Sequence, residues 1–228
     1  MLILAIDTSG KPGSLALARG DASHFEVIES VVIPGGTFSA QLVPQISSAL
    51  SRHNLKKEQL EGFAAASGPG SFTGLRVGLA AIKALAEIMQ KPIAAVSVLE
   101  AVAAAANYEG KIISLLDAQR HEIFVGQYEL RGGAPVRLRE FLCPAAELAA
   151  VASSSVEFRG ARLVTPDESL LALVPGIQKV SRPGSVEIAR LGLHKILAGE
   201  TVSVEELDAN YIRRSDAEIF SAPKLARP

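Results

Sequence analysis

The sequence has one cysteine, no tryptophan and two methionines in 228 residues. A lone Cys143 cannot close an internal disulfide, so packing must hold the fold, and the chain suits a reducing compartment. Cys143 lies in an apolar run beside Pro144 with no adjacent cation to lower its pKa, so a buried structural thiol is expected. Aromatic residues are only 5%, which leaves Ala, Val, Leu and Ile to fill the core and favours close packing of helices on sheets. Charge of one sign is also missing: 23 basic residues face 24 acidic ones, for a net charge of −1. That balance disfavours direct, tight binding of RNA or DNA by this chain alone. No uncharged apolar run approaches the ~20 residues of a membrane span. Leu2–Ile6 is apolar, but Asp7 follows at once with no basic lead or cleavage site, so no signal peptide is read and a cytoplasmic protein is expected.

Familiar catalytic patterns are scarce too. The four histidines, His24, His53, His121 and His194, do not pair at helical spacing, and His-x-x-x-His and His-Glu-x-x-His are absent. Ser71 lies in Pro-Gly-Ser-Phe-Thr, which is not a Gly-x-Ser-x-Gly nucleophile elbow. Neither a metal site nor a serine hydrolase is expected.

What is present is ample core material, 48% hydrophobic with 21% charged residues. Leu2–Asp7, Ser14–Arg19, Phe25–Ile33, Gly62–Ser67 and Ile93–Val96 read as strands between Gly, Pro and Asp punctuation. Phe38, Leu42, Val43, Ile46, Ala49 and Leu50 recur at helical spacing, and Pro44 predicts a kink or a late start. A second helix spans about 74–90 and ends at Lys91-Pro92. Ser97-Val98-Leu99-Glu100 matches a capping box and starts a third, running to about Asn107. The pattern then restarts with strands Lys111–Asp117, Glu122–Leu130 and Val136–Cys143, a helix at Glu147–Ala152 and a strand at Val156–Gly160. A short helix at Leu170–Val174 and a clear one at Ser185–Ala198, stopped by Gly199, complete it. Ser215–Pro228 is polar and Pro-containing and reads as a weakly ordered tail.

Two tandem blocks of strand–strand–strand–helix–strand–helix predict an α/β protein of two lobes, the architecture of the actin-like ATPase and sugar kinase group. The expected divisions are 1–107, 108–210 and a C-terminal segment 211–228. Asp7 and Asp117 hold equivalent places at the end of each block's first strand. Acidic residues there either position metal or water or accept N–H groups in a turn, and both readings stand.

The most informative stretch is Ser67-Gly68-Pro69-Gly70-Ser71-Phe72-Thr73-Gly74-Leu75-Arg76-Val77-Gly78, which opens into an apolar helix. It is neither a Walker A loop nor Gly-x-Gly-x-x-Gly. Gly68, Gly70, Ser71 and Thr73 could form an anion loop, active or vestigial, because helix N-termini offer free N–H groups. Alternatively, the glycines permit a tight turn, and Gly74 and Gly78 let the helix approach another element closely. From Leu75 to Gln90, Arg76, Lys83, Glu87 and Gln90 share one narrow stripe and nearly everything else is apolar. A helix covering one face of a sheet needs only part of its circumference apolar. The surplus must be buried by a neighbouring helix, the 38–53 segment, or by another protein; a shared apolar surface of the two helices facing a partner is expected, with Phe38, Leu42, Gly74, Gly78, Ala81, Ile82 and Leu85 as the contact region.

The run Leu2-Ile3-Leu4-Ala5-Ile6-Asp7-Thr8-Ser9, then Ser14-Leu15-Ala16-Leu17, then Gly68 to Gly78, resembles the TsaB (YeaZ) family. Asp117-Ala118-Gln119-Arg120-His121-Glu122-Ile123-Phe124 and Tyr211-Ile212-Arg213-Arg214 with Ala217-Glu218 resemble that family's later signatures. The related catalytic protein TsaD is longer and carries a His-x-x-x-His helix, which this chain lacks. The resemblance therefore implies a non-catalytic subunit acting in formation of N6-threonylcarbamoyladenosine at position 37 of tRNAs that read ANN codons. It implies binding of TsaD through the first-lobe helices, with the ATPase TsaE joining at the shared interface. It further implies homodimers through the same helices, tRNA contact only through the complex, and no cofactor in the isolated chain, with ATP or ADP at the complex interface. Family members often carry His-Ser ahead of the Leu-Leu-Pro of the first helix, where this chain has Phe38-Ser39 followed by Ala40-Gln41-Leu42-Val43-Pro44. The rival expectation is an ATPase or a glycoprotease-type metallopeptidase of the same fold, resting on Asp7, Asp117 and the glycine loop. Arg213, Arg214, Lys224 and Arg227 are diluted by Asp216 and Glu218 and read as a solvated surface.

Overall fold

The computed structural model describes residues 1–154 and 159–212. The expected strand at 156–160, the basic cluster from Arg213 onward and the 215–228 tail lie outside these residues, wholly or in part.

The first sheet is built from β1 (Leu2–Asp7), β2 (Gly13–Gly20), β3 (Phe25–Ile33), β4 (Gly62–Gly68) and β5 (Ile93–Ser97), in the order β3-β2-β1-β4-β5. The second contains β6 (Gly110–Asp117), β7 (Glu122–Arg131), β8 (Ala134–Pro144), β9 (Arg162–Thr165) and β10 (Gln178–Lys179), in the order β10-β9-β6-β7-β8. Read from the other edge, the second order repeats the first. In each sheet a three-stranded antiparallel meander is extended by parallel strands beside its first strand. This is the two-lobed actin-like α/β fold.

β1 is buried along its whole length, as a central strand covered on both faces must be. The two faces of the sheet differ in side-chain size, with Ile3 and Val96 the larger residues on the small side. Leu2, Leu4 and Ile6, with Leu15, Leu17 and Phe63, face α1 (Phe38–Arg52) and α2 (Phe72–Met89). Ala5, Ala16, Ala18, Ala64, Ala66 and Ala94 line the opposite face, under α5 (Ser185–Leu197). Small residues there bring α5 down onto the sheet: a Cβ added to Gly192 would lie 2.3 Å from the Ala64 Cβ. The scarcity of aromatics is thus a packing device.

The expected lobe boundary near 107 separates the two sheets, but the helices cross it. α5 packs on β1, β2, β4 and β5 of the first sheet, whereas α3 (Val98–Ala104) packs on β6, β7 and β8 of the second. Leu207 and Ala209 also return to the first-lobe core, and the Asn210 N–H donates to the Ser67 carbonyl at 2.6 Å. α5, Leu207 and Ala209 therefore pack on the first sheet, across the expected division at 108–210.

Local expectations also meet the structure. α1 starts at Phe38 and runs through Pro44 without interruption, so the late start is not found. Ser97 caps α3 by accepting from the Leu99 N–H at 3.2 Å, and the Glu100 carboxylate accepts from Ser97 and meets Lys195 Nζ at 3.0 Å. Cys143 is buried, and burial pushes its thiol pKa up, as expected of a structural cysteine. α4 (Ala145–Ser154) fits the expected helix, but 168–170 forms only a single 3-10 turn where a short helix at 170–174 is expected. The strand at Arg162–Thr165 goes unread in the sequence.

Candidate functional site

Two features stand out at the start of α2: a cleft between the lobes and a groove between α1 and α2. The cleft encloses about 1050 Å³. Its first-lobe wall is Ser9 and the glycine loop, and its second-lobe wall includes Asp117, Gln119, Arg120, Asp167 and Arg182.

Asp7 and Asp117 hold matching places and do the same work. The Asp7 Oδ1 accepts from the Ser9 N–H at 2.9 Å, and the Asp117 Oδ1 accepts from the Gln119 N–H at 2.7 Å. Each is a short Asx turn after the first strand of its sheet. Burial raises the Asp7 pKa, with the hydrogen bonds to Ser9 and the nearby Arg182 opposing it. Asp167 accepts from the Asp117 N–H at 2.8 Å and pairs with Arg182. The turn after Asp117 is unusual: Gln119, Arg120 and His121 all have left-handed φ, between 55° and 62°. L residues cost roughly 1–2 kcal/mol each in that region. The turn is held by a hydrogen bond from Glu122 N–H to the Gln119 carbonyl at 3.1 Å and another from Ala145 N–H to the His121 carbonyl at 2.8 Å.

The glycine loop is packed closely on the β1–β2 turn. The Ser71 N–H donates to the Ser9 carbonyl at 2.7 Å, and the Ser71 Oγ accepts from the Gly74 N–H at 3.3 Å as the N-cap of α2. Added Cβ atoms at Gly70, Gly74 and Gly78 would fall 2.4 Å from Ser9 O, 2.1 Å from Thr8 O and 2.3 Å from Thr8 Oγ1. These glycines dock α2 onto the β1–β2 turn. Gly68 adopts φ of 111°, which few other residues tolerate. The Ser71 and Gly74 N–H groups are thus used within the chain, Gly70 and Ser71 still line the inter-lobe cleft, and Thr73 faces the other way, into the α1–α2 groove. Among the described residues no three His, Cys, Asp or Glu side chains come together to hold a metal ion.

The groove between α1 and α2 encloses about 480 Å³ and is lined by Leu42, Val43, Phe72, Val77, Ala80 and Ala81 among others. α2 buries Gly74, Leu75, Gly78, Leu79, Ile82 and Ala86 against the sheet. Its outer side still carries apolar residues: Ala80 and Ala84 are exposed and Ile88 is 78% exposed, a stripe at spacing of four. Val43 on α1 is 64% exposed beside it. The apolar surplus expected of this helix is real, and α1 covers only one flank of it.

The structure sorts the expected contact residues into two groups. Leu42 and Ile82 are almost fully buried and Phe38 is 6% exposed; all three belong to the core beneath the helices, and Phe38 and Leu42 also form the floor of the α1–α2 groove. Gly74 and Gly78 face Thr8 inside the lobe. Ala81 and Leu85 are half-buried at the edge of the outer surface. Val43, Ala80, Ala84 and Ile88, unnamed among the expected contact residues, form the exposed part. Helical periodicity gives the stripes of α2 but not which one meets the sheet. Ile88, flanked by Glu87 and Met89 near the helix end, carried the clearest overlooked signal.

No helix among the described residues is long and apolar enough to cross a membrane. A family model for TsaD, tRNA N6-adenosine threonylcarbamoyltransferase, matches residues 34–153, just over half of the chain. The tRNA threonylcarbamoyladenosine biosynthesis protein TsaB of Bacillus subtilis is 35% identical over 134 residues, 58% of this chain and 57% of that protein. The aligned part of this chain thus spans little more than half the length of the curated relatives it matches. In fold, the chain is similar to a Pseudomonas aeruginosa protein described as similar to peptidase YEAZ, with a TM-score of 0.76 and 23% identity over 93% of this chain and 99% of that one. YeaZ from Pseudomonas aeruginosa gives 0.73 and 22% over 92% and 100%. Sequence matches to TsaB proteins and to the TsaD model agree with the fold, and the chain belongs to the TsaB (YeaZ) family.

Proposed function

We propose that this chain is a non-catalytic activating subunit for threonylcarbamoyl transfer to adenosine 37 of tRNAs reading ANN codons. It binds TsaD through the outer face of α1 and α2, and TsaE joins the pair. The observation that carries this reading is the exposed apolar stripe Ala80–Ala84–Ile88 beside Val43, on helices whose other faces already cover the sheet. Exposed apolar area of this kind on a well-packed lobe favours a protein partner over solvent. The names of the TsaB relatives place those proteins in the same tRNA modification. In isolation the same face pairs two copies of the chain, and tRNA is reached through the complex. Nucleotide belongs to the complex interface, because this chain's glycine loop is packed against Thr8 and Ser9. Such a subunit works in the cytoplasm.

Reconstitution tests the reading. With TsaD, TsaE, the precursor-forming enzyme and unmodified tRNA, modification is expected only when this chain is added. Modification at an equal rate without it would overturn the activating role. The enzyme alternative, an ATPase or metallopeptidase, draws on the 1050 Å³ cleft with Asp117 on its wall. Calorimetry with ATP and Mg²⁺ on the isolated chain separates the two, since tight binding with turnover favours the enzyme.

A further inference from the structure

Phe72 and Arg76 line both the inter-lobe cleft and the α1–α2 groove. They are held from the cleft side by a short strap, Asn210 and Tyr211. The Arg76 Nε donates to the Tyr211 hydroxyl at 3.2 Å, the Phe72 and Tyr211 ring centroids lie 5.4 Å apart, and the Arg76 guanidinium sits 3.7 Å over the Phe72 ring. The preceding residue joins the lobes. The Asn210 N–H donates to Ser67 on β4, and its side-chain amide donates to Glu140 on β8. Glu140 is itself fixed: its side chain is only 5% exposed and accepts from the hydroxyl of the fully buried Tyr128. A continuous chain of contacts therefore runs from the second sheet, through Asn210 and Tyr211, to the first turn of α2.

We infer that Tyr211 is a positioning residue for the docking face. The strap ties the set of Phe72 and Arg76, at the end of the apolar stripe, to the way the two lobes are joined. The inference rests on the docking reading for its consequence but not for its geometry. Any ligand or partner that opens the cleft pulls on Asn210 and Tyr211 and so changes the α2 surface, and by linkage TsaD docking resists that opening. Tyr211 is 37% exposed, so its removal leaves the core intact.

The test uses the full chain in two measurements. In hydrogen exchange on the isolated chain, Tyr211→Ala and Asn210→Ala are expected to speed exchange across residues 72–80 several-fold, with Tyr211→Phe close to wild type because the ring is retained. Unchanged exchange in Tyr211→Ala would overturn the inference whatever TsaD does. Faster exchange in Tyr211→Ala alone would overturn the link to the second lobe. In titration with purified TsaD, Tyr211→Ala is expected to weaken binding about tenfold, and Tyr211→Phe to restore most of it. Wild-type affinity in Tyr211→Ala, with Val43→Glu abolishing binding, would overturn the inference and leave the docking reading standing. Full binding by Val43→Glu would instead overturn the docking face, and the exchange result would still decide the strap.

Discussion

The two lobes share a strand order and an Asx turn after the first strand, yet they diverge beyond the fourth strand of each. In the first lobe, β4 leads through the glycine loop into the eighteen residues of α2, and the loop plugs the turn beside Asp7. In the second, β9 leads to a three-residue 3-10 turn and a two-residue strand, and the turn after Asp117 faces the open cleft. Repetition of topology has therefore not preserved a matched pair of sites. The first lobe has a covered turn and a large helical face, and the second has an open turn and little helical cover of its own.

The largest effect that would break this contrast comes from Gly74→Ala. The new Cβ would lie 2.1 Å from the Thr8 backbone carbonyl, so α2 must shift away from β1. A loss of about 3 kcal/mol is expected, at the upper end of overpacking penalties. Chemical denaturation measures it, and a near-neutral result would show that the plugged turn is not needed. Next comes Ile82→Ala, on the buried face of α2, with an expected loss of about 2 kcal/mol, the low end for truncating a buried aliphatic side chain. Ala84→Glu on the outer face should change stability by less than about 0.5 kcal/mol, as surface substitutions do. Equal losses for the two would mean that the faces are not distinct.

The third prediction concerns pH. Burial raises the folded-state pKa of Asp7, so the folded state holds this proton more tightly than the unfolded chain. Stability tied to Asp7 is then full below the unfolded-state value and falls as pH rises through the folded-state value. Asp7→Asn keeps an Oδ1 acceptor for the Ser9 N–H and removes the buried charge. Its melting temperature should exceed wild type at pH 7, with the difference shrinking as the pH is lowered toward the unfolded-state value. A variant less stable than wild type at pH 7 would show that the ionised carboxylate has a favourable partner. A small effect is expected from Arg52→Ala, which breaks the Arg52–Glu29 pair that ties α1 to the edge strand β3. A loss of at most about 1 kcal/mol is expected, since Arg52 is half exposed.

Much of this was legible in the residues. β1 and β6 are apolar runs that end in Asp, and β3 runs up to the Pro34-Gly35-Gly36 break, so their ends agree closely with expectation. β9 escaped because Arg162-Leu163-Val164-Thr165 is short and lacks a flanking glycine turn on its far side. The exchange of α3 and α5 between lobes was hidden because it depends on contacts between distant segments, although the alanine-rich strand faces hinted at a close-packed helix. The surplus apolar surface of α2 was visible, but its rotation against the sheet was not, so Ile82 was named in the contact region and is buried against the sheet, while Leu42 of α1 is buried and yet lines the groove. The strap was invisible for a similar reason. Arg76 and Tyr211 are 135 residues apart, and no local pattern brings them together.

The central claim is that the outer face of α1 and α2 is the docking surface. Calorimetric titration of TsaD with the Val43→Glu and Ala84→Glu variants tests it most directly, with thermal melts run alongside. The account predicts at least a hundredfold weaker binding for each, with melting temperatures near wild type. Wild-type affinity in both folded variants would contradict it.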